Sequence, residues 1–310
     1  MPWWDPELAP ALEAYRAATG GGRGNLSDPA VLAVLRDPGP DPAPERDVTW
    51  SSGTVGNTAG DHDVPVRIYR PAEPDPRRHG YVLLHGGGLS FGHLNTEHRR
   101  CLALCRDTGA VGISVDFRMA PENPPAVILD DAYSVLRHVT EHPQDYDVDP
   151  RRIAVTGASG GGMLTLSLAQ LARDRGDTDP MLQLALYPNT DDRALPGHAS
   201  RREDLPVIPE EAIAQVMANL GPPAPSIVPN RTEDLSGLCP AFVLVGGNDP
   251  LRDEAVDYAW RMMRSGVTTE LHVVPGLSHA FDLLAPDSEA TRTADRLMAA
   301  ALHRASSSRD

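Results

Sequence analysis

The chain has 310 residues, 41% hydrophobic and 23% charged, with a formal net charge of −15; that is long enough to bury one large α/β core and ordinary for a globular protein. The negative charge argues against nucleic acid or an anionic membrane surface as a partner, because like charges repel. All 28 basic residues are arginine, which excludes chemistries that need a lysine: a Schiff base, a phosphate-loop lysine, or the Tyr-x-x-x-Lys pair of short-chain dehydrogenases.

The opening MPWWDPELAP has neither a basic nor an apolar region, so it is not read as a signal peptide. No apolar run approaches the roughly 20 residues that span a bilayer. Three cysteines suggest no disulfide framework, and the expected compartment is the cytoplasm. Residues 1–45 carry two amphipathic helical stretches, 6–18 and 28–36, the second opening on Ser27-Asp28-Pro29. They are expected to form part of a cap, with Trp3 and Trp4 pinning the terminus or lining a pocket. Residues 48–55 and 64–69 flank a polar turn and predict a β-hairpin. Residues 81–84 form a buried strand that runs into His85-Gly86-Gly87-Gly88. A helix over 96–107 follows, with Cys101 and Cys105 as small buried hydrophobes rather than a metal pair. Strand 111–116, helix 128–142, strand 153–156 and helix 163–173 come next. After strand 182–187, residues 190–237 form a polar, Pro-rich insertion with one helix at 209–220. The chain continues as strand 241–246, helix 253–265, strand 269–274 and helix 288–303, ending in a frayed SSSRD tail.

Strands alternating with helices predict a mainly parallel, doubly wound sheet with its ligand at the carboxyl ends of the strands. Four loops with unusual residues fall on that edge. Gly157-Ala158-Ser159-Gly160-Gly161, between a buried strand and a helix, fits the G-x-S-x-G nucleophile elbow, in which Ser159 stands exposed at a sharp turn. The same letters approach the T-G-x-x-x-G-x-G loop of short-chain dehydrogenases, but Met163 replaces the last glycine and the lysine is missing. A serine hydroxyl needs a base within hydrogen-bond reach. His279, after the strand at 269–274, is the candidate, and Asp249 is expected to hold its other ring nitrogen. The loop Gly86-Gly87-Gly88 would bring backbone N–H groups close to a developing oxyanion. Gly87, Gly88 and Gly160 are the expected donors, with His85 anchoring their loop. Four other histidines, His93, His98, His138 and His142, are read as solvated.

In these motifs the sequence resembles the bacterial hormone-sensitive-lipase-like (group IV) carboxylesterases of the α/β-hydrolase superfamily. The resemblance runs through HGGGLSFG (85–92), DFRMAPENP (116–124) with Asp131, GASGGG (157–162), LALYPNTDDR (184–193), DLSGL (234–238), NDPLRDE (248–254) and PGLSHAF (275–281). It implies an α/β-hydrolase fold: an eight-stranded, mostly parallel sheet with helices on both faces. The catalytic domain would span residues 46–310, capped by residues 1–45 and by the insertion at about 190–237. It further implies hydrolysis of short- to medium-chain carboxylic esters of small molecules through an acyl-enzyme, with no cofactor and no metal. A metabolite-specific deacylase, lactonase or eliminating enzyme is the alternative within the fold, and a non-catalytic ligand-binding receptor the alternative outside catalysis. A homodimer is left open beside a monomer. Leu89 and Met217 are the candidate substrate-lining residues. Gly160 stands where the family usually has alanine. Ordinary helical backbone angles are expected there, so Gly160→Ala should be tolerated and stabilising; the rival reading is that a bulky acyl or alcohol group passes over the elbow, where even a methyl would clash.

Overall fold

Each central strand is a short run of buried side chains that alternate between two faces, and each face found its own helices. In the computed structural model, which describes residues 3–19, 25–73, 75, 78–193, 207–208, 210–221 and 227–309, eight strands form one sheet. They are β1 (Val48–Gly56), β2 (Asp63–Pro71), β3 (Gly80–Leu84), β4 (Val111–Val115), β5 (Ile153–Ala158), β6 (Leu182–Leu186), β7 (Ala241–Gly246) and β8 (Thr269–Val274). Their order is β1-β2-β4-β3-β5-β6-β7-β8. β1 and β2 form the expected antiparallel hairpin, β2 pairs antiparallel with β4, and all other pairs are parallel.

Between and around the strands lie α1 (Ala9–Thr19), α2 (Pro29–Arg36), α3 (His98–Thr108), α4 (Pro125–Glu141), α5 (Gly160–Arg175), α6 (Glu210–Asn219), α7 (Arg252–Arg264), α8 (Phe281–Leu284) and α9 (Glu289–Ser307). Because strand side chains alternate, Tyr81 and Leu83 join one apolar cluster with Cys101 and Cys105 of α3 and Met298 and Leu302 of α9. Val82 and Leu84 join the other, with Ile128 and Leu136 of α4 and Leu164 and Leu168 of α5. Each such side chain contributes about 1.5–3 kcal/mol on full burial. The two cysteines are the buried hydrophobes expected of them: burial pushes both thiols up, Cys105 to about 12. Local signals start and stop the helices. Asp28 caps α2 by accepting from Ala30 N–H at 2.8 Å, and Gly176 at φ 70° ends α5.

One expectation needs correction, and one element was missed. Up to Arg309 the carboxyl tail is not frayed: α9 runs to Ser307, and Arg152 donates to the Ser306 hydroxyl at 3.0 Å and carbonyl at 3.1 Å. The one-turn helix α8 was not predicted, because four residues carry no period. Within the 190–237 insertion, residues 194–206, 209 and 222–226 lie outside the described residues. No helix among the described residues is long and apolar enough to cross a membrane.

Candidate active site

β5 ends at Ala158 and α5 begins at Gly160, so Ser159 alone turns the chain from strand to helix. It does so at φ 55°, ψ −120°, a left-handed φ that costs a non-glycine residue about 1–3 kcal/mol. Neighbours hold it there: Ser159 N–H donates to Leu186 O at 2.9 Å, and Ser159 O accepts from Met163 N–H at 2.9 Å. His279 Nε2 lies 2.9 Å from Ser159 Oγ, and His279 Nδ1 lies 2.9 Å from Asp249 Oδ2. The carboxylate accepts at Nδ1, so that nitrogen carries the proton and Nε2 presents its lone pair to the hydroxyl. Asp249 Oδ1 accepts from Leu251 N–H at 2.8 Å, which leaves the acid little freedom to turn away. The two loops that carry acid and base are tied to each other, Asn248 N–H to Leu277 O at 3.0 Å and Gly247 N–H to Val274 O at 2.7 Å.

The glycine loop after β3 lies directly on the elbow. A Cβ on Gly160 would fall 2.7 Å from Gly88 Cα and N and 2.8 Å from Leu89 N, all backbone atoms. The expectation that Gly160→Ala is tolerated is therefore corrected. The backbone angle is ordinary, as expected, but the space for a methyl is already filled by the donor loop. Gly88, at φ 59°, has Val216 of α6 on its other side, 2.5 Å from where its Cβ would stand. His85 closes the loop from below. Its ring stacks on Phe117 at 4.3 Å, and Nδ1–H donates to Gly86 O at 2.9 Å. Burial lowers the His85 pKa to about 4, which keeps the ring neutral.

Above Ser159 opens a cavity of about 230 Å³ whose wall includes Leu26, Phe91, Ile208, Ile213, Val216 and Leu283. Neither Leu89 nor Met217 belongs to that wall. Leu89 is 1% exposed and sits in the sheet-side core, and Met217 packs against the same cluster. Successive residues on a helix are turned by about 100°, so it is Ile213 and Val216 that α6 presents to the cavity. His93, read as solvated, also lines it, and burial lowers its pKa. Among the described residues, no three His, Cys, Asp or Glu side chains cluster as a metal site.

Residues 81–283 match the family described by the alpha/beta hydrolase fold. The chain is 35% identical over 312 residues to carboxylesterase NlhH of Mycobacterium tuberculosis, covering 96% of each chain. The chain belongs to the α/β-hydrolase family. Its branch is the hormone-sensitive-lipase-like one. It is also 32% identical to an ethyl acetate hydrolase of Pseudomonas putida, over 87% of this chain and 84% of that one. Among solved structures, esterase LipW from Mycobacterium marinum superposes with a TM-score of 0.81 at 33% identity, covering 97% of this chain and 96% of that one.

One feature of this hydrolase escaped the sequence reading, and a second was read there as one of two alternatives. The first is a buried ion cluster under the site. Arg100 of α3 is paired with Glu97 and with Asp282 of α8, and donates to Tyr187 Oη at 3.0 Å. Tyr187 in turn donates to Asp282 Oδ1 at 2.7 Å. Burial pushes the Glu97 carboxyl up; Asp282, against the same burial, is held below the usual aspartate value by Arg100. The only sequence signal was position: Tyr187 follows β6, and Asp282 stands three residues after His279. The second feature is the amino-terminal segment. Asn248 Nδ2 donates to Trp3 O at 2.7 Å and Asp5 N–H to Gly276 O at 3.1 Å. Trp4 packs into the core while Trp3 is 62% exposed, so the pair pins the terminus against the loops of Asp249 and His279, and neither ring lines the cavity.

Proposed function

We propose that this α/β-hydrolase is a carboxylesterase that works through an acyl-enzyme on Ser159. The observation that carries the reading is the unbroken line Ser159 Oγ, His279 Nε2, His279 Nδ1, Asp249 Oδ2, each contact 2.9 Å, at the floor of an apolar cavity. His279 takes the hydroxyl proton as Oγ attacks the ester carbonyl, and Asp249 steadies the resulting imidazolium. The N–H groups of Gly87, Gly88 and Gly160 receive the oxyanion, where each donor is worth about 3–4 kcal/mol by the subtilisin precedent. His279 then returns the proton to the leaving alkoxide, and water attacks the acyl-enzyme by the same route in reverse. The cavity volume of about 230 Å³ suits short to medium acyl or alcohol groups. The ethyl acetate hydrolase among its relatives points to the short end.

Residues 1–45 and 190–237 act as the cap in this reading, supported by Leu26, Leu35, Ile213 and Val216 on the cavity wall. Three free cysteines, two of them buried, favour a reducing cytoplasm. Exposed Trp260 and Met263, three residues apart on α7, offer an apolar stripe for a homodimer. The test is a panel of p-nitrophenyl esters from acetate to decanoate, with a fluorophosphonate to label the nucleophile. Single labelling at Ser159 and a rate peak at short or medium chains are expected. Labelling at another residue, or no turnover across the panel, refutes the proposal.

A further inference from the structure

The donor loop and the base arrive from different strands, after β3 and after β8, yet catalysis by the proposed mechanism needs them in register to a fraction of an ångström. Backbone bonds alone do not link them. The link runs underneath. Glu97 Oε1 accepts from Gly86 N–H at 3.2 Å, at the root of the donor loop. Its other oxygen is paired with Arg100 Nη1. Arg100 Nη2 is paired with Asp282, three residues beyond His279. Tyr187, bonded to both Arg100 and Asp282, sets its ring edge-on to the His279 ring, centroids 4.7 Å apart at 64°. Glu97, Arg100, Tyr187 and Asp282 are each 2% exposed or less.

We infer that Arg100 is a positioning residue that fixes the donor loop and the His279 loop to one another, through Glu97 on one side and through Asp282 and Tyr187 on the other. The inference rests on the esterase reading for its assay, though not for its geometry. A guanidinium is suited to this because its planar fork reaches two carboxylates at fixed angles. It also has an electrostatic duty. Glu97 lines the cavity and touches the loop that is to stabilise an oxyanion. An unpaired carboxylate there would oppose the negative charge developing on the substrate, and Arg100 cancels it. Arg100 contacts neither the cavity nor the reacting atoms among the described residues, so its effect must pass through its partners.

Two features of the arrangement separate positioning from mere stability. If Arg100 acts by fixing the loops and cancelling Glu97, its loss lowers kcat while KM hardly moves, since the apolar cavity wall is untouched. Removing the charge that Arg100 cancels should then give activity back. The experiment compares Arg100→Met, Glu97→Gln, Glu97→Ala and the Arg100→Met/Glu97→Gln double variant, alongside Tyr187→Phe. Readouts are kcat and KM on p-nitrophenyl butyrate and the rate of fluorophosphonate labelling at Ser159, which does not depend on the natural substrate.

Arg100→Met is expected to lower kcat and the labelling rate by about 100-fold with KM changed less than about threefold, and the double variant to recover at least about tenfold of that loss. Glu97→Ala should fall at least about tenfold below Glu97→Gln, whose amide oxygen still accepts from Gly86 N–H. Tyr187→Phe keeps the ring and should lose less than any of the Arg100 or Glu97→Ala changes. An Arg100→Met protein that melts earlier but keeps kcat and labelling overturns the inference. So does a double variant no better than Arg100→Met. Should Arg100→Met not fold, equal kcat for Glu97→Gln and Glu97→Ala overturns it, and the expected tenfold gap supports it. If the wild-type chain labels at Ser159 but hydrolyses no ester, the esterase reading fails and the labelling rates still decide the coupling; if it does not label, both fall.

Discussion

The floor of the site and its wall are built in opposite ways. The floor, made by the elbow, the donor loop and the ion cluster, is backbone against backbone and polar group against polar group. Gly160 has no room even for a methyl, Ser159 is held off its preferred angles by two backbone bonds, and His85 is wholly buried. The wall, made by α2, residues 207–208 and α6, meets the cavity through Leu35, Ile208, Ile213 and Val216. Its directional contacts lie outside the cavity: Leu26 N–H donates to Gln215 Oε1 at 2.7 Å, Asn219 Nδ2 to Leu26 O at 2.9 Å, and Arg36 of α2 to the Ser90 and Ala120 carbonyls at 2.8 and 2.6 Å. Polar geometry is intolerant of substitution, and apolar contact of roughly the right volume is forgiving. Chemistry belongs to the first and substrate choice to the second.

Substitutions in the two regions should therefore fail differently. Ser159→Ala should lose about 10⁶ in kcat, following the subtilisin precedent, with little change in fold; residual turnover within a hundredfold of wild type would move the nucleophile elsewhere. Leu89→Ala empties a core position, and a loss of about 2–5 kcal/mol in denaturant melts is expected with the acyl-chain profile unchanged. A shifted profile would return Leu89 to the wall. Gly160→Ala must push the donor loop off the elbow. It should destabilise by about 1–3 kcal/mol and lower kcat on every ester alike, whereas a higher Tm with full activity would show that the loop yields easily.

Acid should weaken the sheet that carries the floor. Burial holds His79 and His85, at either end of β3, neutral, with pKa values lowered from 6.5 to about 4. The unfolded chain takes up these protons near 6.5 and the folded chain refuses them until about 4, so stability falls as pH drops through that window. His79→Phe should remove roughly half of this dependence in Tm against pH; an unaltered slope would assign it to other groups. The smallest effect is expected at the wall. Val216→Ala should move the preferred acyl or alcohol length by one or two carbons, with a rate change of about threefold and a stability cost near 1 kcal/mol. A uniform loss across the ester series would instead tie Val216 to the donor loop it touches.

Much of this was legible in the residues in order. Buried runs of four to six residues ending in Gly, Ser, Asn-Asp or Ser-His marked the strand ends, and local periodicity placed the central strands within about two residues of where they lie. The strand-end positions of Ser159, Asp249 and His279 were enough to name them as candidates, because a parallel sheet carries all such loops to one edge. What the sequence could not contain was contact between segments far apart in it. Arg100 meets Asp282 across 182 positions and Tyr187 across 87, and neither spacing has a period to read. Gly160 looked replaceable because the resembled family usually has alanine there and a helical backbone does not call for glycine; Gly88, which fills the space, reaches it only when β3 and β5 pair. Leu89 and Met217 were assigned by adjacency to a motif and a helix, but which side of a turn or helix faces a cavity depends on how the element is rotated as it packs. Local chemistry determined the strands, the elbow and the candidate triad. Packing between distant segments determined which neighbours hold them in register, because close contact depends on the whole fold at once.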